Sequence, residues 1–285
     1  MDMRARPYRS VLYIPGSRER ALDKARGLPV DAIIFDLEDA VTVAEKPAAR
    51  ATLKAALGQG GYGHRTRIVR INGLDTEWGA EDARAAAAMD CDAILLPKVE
   101  SPAQLDALAE IADDTPLWAM METPLGMLNA AAIAAHPRLA GMVMGTNDLA
   151  KELQTRFRAD RLPMMAGLGL CLLAAKAHGV VIVDGVYNAF KDDDGLRAEC
   201  EQGRDMGFDG KTLIHPAQVD IANTAFAPSE AEVDLARRQI AAFETAEAEG
   251  QGVAVVDGKI VENLHVATAR EILAKSEAIA QTASE

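Results

Sequence analysis

The sequence predicts an α/β fold, a (β/α)8 barrel with a C-terminal helical extension. Short strand-like apolar runs alternate with longer helical patterns, which is typical of parallel βα units. Eight such units follow one another within roughly 225 residues, which matches the size of a (β/α)8 barrel. The 285 residues are 49% hydrophobic and only 4% aromatic, so the chain can bury a large aliphatic core.

The elements follow in a regular order. The strand-like runs lie at 10–13, 32–36, 67–71, 93–97, 117–122, 141–145, 180–184 and 210–214. The helical patterns lie at 18–26, 46–57, 79–89, 102–112, 127–135, 163–178, 192–206 and 216–224. Ser101 and Pro102 mark a helix start, because serine caps helices and proline favours their first turn. Gly27 and Gly179 mark helix ends. These units predict a barrel domain over residues 1–227.

Residues 228–285 form the predicted extension. A long helix runs from 230 to about 250, a small strand and turn lie at 253–259, and a last helix runs from about 267 to 280. The segment has too few large apolar residues for a core of its own. We therefore expect it to pack on the barrel and on a neighbouring subunit.

Composition and charge exclude several classes of function. The chain has 43 acidic and 30 basic residues and a formal charge of -13, which opposes binding to nucleic acids and to anionic membranes. Cys91, Cys171 and Cys200 are too widely spaced for a zinc site or a disulfide scaffold, and we interpret them as buried thiols. No signal-type stretch and no apolar run of membrane-spanning length occurs, so we expect a cytoplasmic location.

Polar residues stand at or just after the ends of the strand-like runs. In a (β/α)8 barrel these carboxyl ends meet at one mouth, where the active site lies. Any single member can be a solvated loop residue, but the recurrence along the chain predicts a functional site. The residues are Tyr13, Asp36, Glu38, Asp39, Arg70, Asn72, Lys98, Glu122, Asn147, Asp148, Asp184 and His215.

Carboxylates outnumber histidines in this set, which favours Mg²⁺ over zinc. Glu122 and Asp148 are the predicted metal ligands, with Mn²⁺ as a substitute ion. They leave coordination sites for water and for a substrate with adjacent hydroxyl and carboxylate groups. Each also has a simpler explanation, as a carboxylate at a helix N-terminus. Asp36, Glu38 and Asp39 either hold metal-bound water or accept internal hydrogen bonds.

Arg70 is the predicted contact of a substrate carboxylate or enolate oxygen, because its planar guanidinium suits such groups. Arg70 also fits an ion pair with Glu38 or Asp39, and both roles can hold together. A basic cluster on the first predicted helix either binds phosphates or forms a solvated face. Its members are Arg18, Arg20, Lys24 and Arg26.

Two other regions remain open. His215 ends the eighth strand, where it either contacts the substrate or bonds to the backbone near Pro216. Arg156, Arg158 and Arg161 lie in a long connection that serves as a lid or is plain surface.

Seven motifs, in order along nearly the whole chain, resemble those of the citrate lyase β-subunit-like (HpcH/HpaI aldolase/citrate lyase) family. They are YIPGSR at 13–18, FDLEDAV at 35–41, VRING at 69–73, LPKV at 96–99, METPLG at 121–126, GTNDL at 145–149 and IHPAQ at 214–218. That family includes malyl-CoA and citramalyl-CoA lyases and malyl-CoA thioesterases.

The resemblance implies a Mg²⁺-dependent enzyme acting on a CoA thioester, assembled as a homotrimer or homohexamer. It implies Mg²⁺ on Glu122 and Asp148, with the C-terminal segment reaching over a neighbour's active site. It places coenzyme A near Tyr13, Arg18 and Lys24. The substrate is expected to contact Arg70, Glu122, Asn147, Ile214 and His215.

The C-terminal segment departs from the family's lyases, which carry a catalytic aspartate there. Glu262 stands at the matching position. Its extra methylene shifts the carboxylate by about 1 Å, which can cost ~10²-fold in a positioned proton transfer. We therefore assign Glu262 to catalysis with Arg70 and Asp39, and expect hydrolysis of (3S)-malyl-CoA to malate and CoA. The alternatives are malyl-CoA or citramalyl-CoA cleavage and a CoA-thioester-binding subunit of a larger lyase complex.

Overall fold

A computed structural model describes residues 3–283 of the chain, with the backbone alone at residue 283. The chain divides into two compact units. One is Tyr8–Phe226, and the other combines the described residues before Tyr8 with those after Phe226. Residues 1–2 and 284–285 of the two predicted domains lie outside the described range. Within that range, no helix is long and apolar enough to cross a membrane.

The unit Tyr8–Phe226 contains a closed barrel of eight parallel strands in chain order, in which the last strand pairs with the first. This confirms the predicted fold class. The strands are β1 Ser10–Pro15, β2 Ala32–Asp36, β3 Thr66–Arg70, β4 Ala93–Leu96, β5 Leu117–Met121, β6 Leu139–Met144, β7 Val181–Asp184 and β8 Gly210–Leu213.

Helices surround the barrel and differ from the expected pattern in two places. They are α1 Glu19–Ala25, α2 Lys46–Gln59, α3 Gly79–Ala87, α4 Pro102–Ala109, α5 Pro124–Leu128, α6 Ala130–Ala134, α7 Thr146–Glu152, α8 Met165–His178, α9 Asp193–Met206 and α10 Val219–Phe226. The predicted helix 127–135 is two short helices separated at Asn129, whose side chain donates to the carbonyl of Glu100 at 2.8 Å. The helix α7 was not predicted.

Aromatic side chains fill the amino-terminal end of the barrel. The rings of Tyr8 and Trp118 lie 5.4 Å apart, and both residues are buried. A Cβ on Gly141 would collide with the Trp118 ring, so only glycine fits there. The polar strand ends lie at the opposite mouth, which is where (β/α)8 barrels place their active sites.

Asp184 is at the end of β7 but does not belong to the mouth, which corrects the sequence-based grouping. Its carboxylate is fully buried beside Gly203 of α9 and accepts from Arg161 Nη1 at 2.8 and 2.7 Å. Lys211 Nζ lies 3.1 Å away. Since Arg161 is also buried, it anchors its loop to the barrel and is neither lid nor surface.

Replacing Asp184 with Asn is expected to lower the free energy of unfolding at pH 7 by about 3 kcal/mol, because the buried Arg161 loses its main counter-charge. Lys211 keeps only Glu199, whose Oε1 lies 2.7 Å from Nζ. Burial alone would raise the pKa of Asp184, but Lys211 and Arg161 outweigh it and lower that pKa. The stabilisation is therefore present above the unfolded pKa of about 3.9 and is lost as pH falls through the lower folded pKa.

Denaturant unfolding between pH 3 and pH 7 tests this. The wild-type chain should lose stability on acidification more steeply than D184N. The exposed Asp205 on α9 supplies the control variant D205N. Equal stability of D184N and wild type at pH 7 would contradict the expected role of this network.

The second unit contains α11 Glu230–Ala248, the hairpin strands β9 Ala254–Val256 and β10 Lys259–Val261, and α12 Asn263–Ala283. Asp257 and Gly258 have φ of 51° and 75°, as a tight hairpin turn requires. Helix α12 begins earlier than expected. The backbone N–H of Glu262 donates to His265 Nδ1 at 3.0 Å, which satisfies a donor at this helix start.

Candidate active site

Arg70 and Asp36 form a buried, two-pronged ion pair at the mouth. Their strands place them side by side, since Asp36 on β2 is the register partner of Arg70 on β3. Arg70 Nε donates to Asp36 Oδ1 at 2.7 Å and Nη2 donates to Oδ2 at 2.6 Å. Burial opposes the charge of Arg70, but Asp36 and its neighbours outweigh it and raise the pKa of Arg70 well above its usual value. Arg70, the residue predicted to bind the substrate, is therefore held in a fixed position and stays positively charged.

The third guanidinium nitrogen of Arg70 faces the loop after β2. Its Nη1 lies 2.7 Å from Glu38 Oε2 and 3.4 Å from Asp39 Oδ2. Glu38 is 8% exposed, and burial raises its pKa. The Asp39 side chain is 66% exposed. Arg70 therefore forms the ion pairs that the sequence suggested as its alternative role. Its Nη1 is the nitrogen that lies next to the exposed Asp39.

Lys46 holds this loop in place, a role that sequence reasoning did not assign. Its buried ammonium donates to the carbonyl oxygens of Leu37 and Glu38 at 3.2 and 2.8 Å and to Asn72 Oδ1 at 2.7 Å. The ring of Trp78 lies 5.1 Å from Nζ. Because Lys46 follows the loop by several residues in an ordinary helical segment, nothing in the local sequence distinguishes it from a surface lysine.

Glu122 follows β5, and its side chain is tightly packed. It is 2% exposed, and its Oε1 accepts from the Lys98 backbone N–H at 2.9 Å. A Cβ on Gly145 would collide with Glu122 Oε2, so glycine is required beside it. Burial, and then the charge of Glu38, raise the pKa of Glu122 to about 7. A buried carboxylate beside other carboxylates is stabilised in its charged form by a cation.

Asp148 lies in the first turn of α7 and is half-buried. Its charge contributes to raising the pKa of both Glu122 and Lys98, which places it in the same cluster. Among the described residues, no group of three or more His, Cys, Asp or Glu is arranged around an ion position. The two carboxylates of Glu122 and Asp148 offer only oxygen donors. This suits Mg²⁺, which usually keeps several water or substrate ligands.

Tyr13 lies within the same cluster. The Arg70 guanidinium carbon is 5.1 Å from its ring centroid, and its hydroxyl lies 3.6 Å from Met120 Sδ. Arg18 and Lys24 are exposed at the start and on the surface of α1. Their role with Tyr13 in binding coenzyme A stays a prediction.

The other side of the mouth is formed by the predicted substrate contacts Asn147, Ile214 and His215. Asn147 and Asn188 exchange side-chain hydrogen bonds of 3.3 and 2.7 Å. His215 Nδ1 accepts from the Ala217 N–H at 3.2 Å, which is the backbone role left open above. The ring of Phe190 stacks on His215 at 4.8 Å, and Ile214 is 42% exposed. Sequence reasoning missed Asn188 and Phe190, which lie in the loop after β7.

Glu262 lies in the second unit, between β10 and α12, and is exposed. Three apolar side chains of the same segment are also exposed: Val255 at 66%, Ile260 at 61% and Leu264 at 63%. Val255 and Ile260 are cross-strand partners on the hairpin. Such a cluster beside an exposed carboxylate is typical of a surface that another molecule covers.

Comparisons with known proteins point to one family. The family model described as HpcH/HpaI aldolase/citrate lyase matches residues 9–216, and the model C-C_Bond_Lyase of the TIM-Barrel fold matches residues 163–280. A (3S)-malyl-CoA thioesterase of Cereibacter sphaeroides is 72% identical over 280 residues, 98% of each chain. The citrate lyase subunit beta of Escherichia coli is 35% identical over 286 residues, covering 96% of this chain and 95% of that one.

Solved structures agree with this. The protein CitE from Mycobacterium tuberculosis in complex with magnesium, acetoacetate and coenzyme A has a TM-score of 0.80 and 31% identity, covering 96% of this chain and 100% of that chain. A citrate lyase beta subunit from the same organism, complexed with oxaloacetate and magnesium, has a TM-score of 0.71 and 34% identity over 80% of this chain and 100% of that chain.

Proposed function

The chain belongs to the HpcH/HpaI aldolase/citrate lyase family, and we propose that it is a Mg²⁺-dependent thioesterase that hydrolyses (3S)-malyl-CoA to malate and free CoA. This confirms the family suggested by the sequence motifs. The observation that carries the proposal is the high identity, over nearly the whole chain, to relatives named (3S)-malyl-CoA thioesterase. The citrate lyase relatives are about half as similar.

Glu122 and Asp148 are the proposed ligands of Mg²⁺, and we expect Mn²⁺ to substitute. A Mg²⁺ ion held there would bind the hydroxyl and carboxylate oxygens of the malyl group and so fix the acyl chain. Support comes from the oxygen-only donor set, in which Glu122 is buried and Asp148 is half-buried, and from the raised pKa of Glu122. The solved structure of the relative CitE contains magnesium, which supports Mg²⁺ as the ion.

Arg70 is proposed to contact the substrate through Nη1, while Asp36 holds the rest of the guanidinium. The Nη1 contact with Asp39 is 3.4 Å long and at an exposed carboxylate, so a substrate oxygen can compete with it. Asp39 would then accept a hydrogen bond from the substrate or from an ordered water. We expect Asn147, Ile214 and His215 to line the opposite side, with Asn188 fixing the Asn147 amide.

Glu262 is the proposed general base. Its carboxylate takes a proton from a water molecule, the water oxygen bonds to the thioester carbon, and the carbonyl electron pair moves to oxygen. When this intermediate collapses, the C–S bond breaks and the leaving sulfur takes the proton from Glu262. We propose that the segment reaches a neighbouring subunit within a homotrimer or homohexamer. The exposed Val255, Ile260 and Leu264 support this, because a partner surface would cover them.

Carbon–carbon cleavage is the second candidate, favoured by the lyase family model over residues 163–280. Incubating the purified protein with (3S)-malyl-CoA and Mg²⁺ separates the possibilities. Malate and CoA in equal amounts support hydrolysis, whereas glyoxylate and acetyl-CoA support cleavage. Tight binding without turnover would favour a CoA-thioester-binding subunit. The expected cytoplasmic location stays a prediction.

Replacing Glu262 with Gln is expected to lower the rate of hydrolysis by about 10²-fold to 10⁴-fold, because the general base is lost. Replacement with Asp should cost about 10²-fold, since it withdraws the carboxylate by one methylene. The exposed Glu271 on α12 supplies the control E271Q, which should behave as wild type. Unchanged rates and product ratios in E262Q and E262D would remove Glu262 from the mechanism.

A further inference from the structure

Lys98 has an unusual backbone at the mouth of the barrel. It lies two residues after β4 and has φ of 49°, in the left-handed region that lysine rarely adopts. In this conformation its N–H donates to Glu122 Oε1 at 2.9 Å, and its carbonyl oxygen lies 3.4 Å from Gln104 Nε2. A strained residue held by its surroundings at a catalytic mouth suggests a functional role.

The side chain of Lys98 lies among the carboxylates of the site. Its ammonium nitrogen is 3.5 Å from Glu38 Oε1, and the side chain is 50% exposed. A contact of 3.5 Å is longer than an optimal charged hydrogen bond. The head of a lysine carries three N–H donors on a flexible stem. Lys98 can therefore turn to a ligand without breaking a tight internal bond.

Arg70 differs from Lys98 in this respect. Two of its nitrogens are bonded to the buried Asp36 at 2.7 and 2.6 Å, and the third lies 2.7 Å from Glu38. Protein carboxylates thus use most of its donors. Both Arg70 and Lys98 pair with Glu38, but the Lys98 contact is longer, at 3.5 Å against 2.7 Å.

We propose that Lys98 is a further catalytic residue, whose ammonium contacts the carbonyl oxygen of the bound thioester and stabilises the negative charge that develops there. The metal site is suited to the hydroxyl and carboxylate end of the acyl chain. Asp36 and Glu38 use most donors of Arg70, so the charge at the thioester oxygen leaves room for a second donor beside Arg70. In hydrolysis this oxygen takes the carbonyl electron pair when water adds to carbon, and returns it when the C–S bond breaks. In the alternative cleavage the same oxygen becomes the enolate oxygen. The inference rests on the proposed function only for the identity of the substrate.

The kinetic test replaces Lys98 with Met, which keeps the length of the side chain and removes its charge. We expect kcat for malyl-CoA hydrolysis to fall by about 10²-fold, the usual cost of losing one oxyanion donor. The exposed Lys54 on α2 supplies the matched control K54M, which should retain wild-type kcat. Mg²⁺ affinity, measured by calorimetry without substrate, should be equal or higher in K98M, because a cation near the metal site has been removed.

A ligand comparison tests the contact without turnover. One malyl-CoA analogue has CH2 in place of sulfur and keeps the carbonyl, and a second has CH2 in place of the carbonyl. Wild type should prefer the first analogue, and K98M should reduce that preference about tenfold. Retention of more than half of kcat in K98M, or equal loss of affinity for both analogues, would overturn the proposal. If wild type hydrolyses no malyl-CoA, the proposed function fails, while the analogue preference still decides the role of Lys98.

Discussion

Replacing Glu122 with Gln is expected to lower malyl-CoA turnover by about 10³-fold and to remove its stimulation by Mg²⁺. Glutamine keeps an oxygen that can accept from the Lys98 N–H, as Glu122 does at 2.9 Å, so the loop after β4 should stay in place. The variant loses the negative charge that a hard cation requires. Turnover measured across a Mg²⁺ titration, with the metal affinity from calorimetry, checks the expected result.

The control is E152Q, because Glu152 is exposed on α7, the helix that also carries Asp148. It should match wild type in both measurements. Thermal unfolding of E122Q without metal should lie within a few degrees of wild type or above it, since an uncompensated buried carboxylate is removed. Near-normal Mg²⁺ affinity in E122Q would show that the metal is held elsewhere.

Replacing Arg70 with Met should destabilise the chain by about 3–5 kcal/mol, because Asp36 is left as a buried charge without its partner. It should also reduce kcat/KM by about 10²-fold to 10³-fold, because the substrate loses a positioned cation. Denaturant unfolding and steady-state kinetics measure the two effects separately.

The double variant D36N/R70M distinguishes the two roles of Arg70. Neutralising Asp36 removes the buried charge, so stability should recover by at least half of the loss. Activity should stay as low as in R70M, because the substrate contact is still missing. Recovery of activity together with stability would mean that Arg70 serves the fold alone.

The barrel was predictable because its signal is repeated eight times along the chain. The strand-end principle also located Arg70 and Glu122, which the structure brings to one mouth with Glu38 and Asp36. The strand-end principle failed at Asp184, because successive residues of a strand point alternately towards the barrel interior and towards the surrounding helices. A shift of one residue reverses the face, and the apolar run of β7 is buried on both sides and gives no sign of its phase.

The role of Lys46 and the backbone conformation of Lys98 could not be predicted for a different reason, although the strand-end principle did include Lys98 in the expected set. Both depend on partners far away in sequence, such as Asn72 for Lys46 and Glu122 for Lys98. The left-handed backbone of Lys98 has no local signature, since lysine is not a residue that favours it. The early start of α12 at Asn263 likewise depends on His265 accepting a backbone hydrogen bond, a capping role in which histidine is unusual.

The bond that breaks can be identified by following oxygen from labelled water. Purified protein with Mg²⁺ and (3S)-malyl-CoA in H₂¹⁸O should give malate that carries one ¹⁸O in the carboxylate formed from the thioester, with one free CoA for each malate. Formation of glyoxylate and acetyl-CoA in equal amounts, with no labelled malate, would contradict hydrolysis and assign the same barrel mouth to carbon–carbon cleavage.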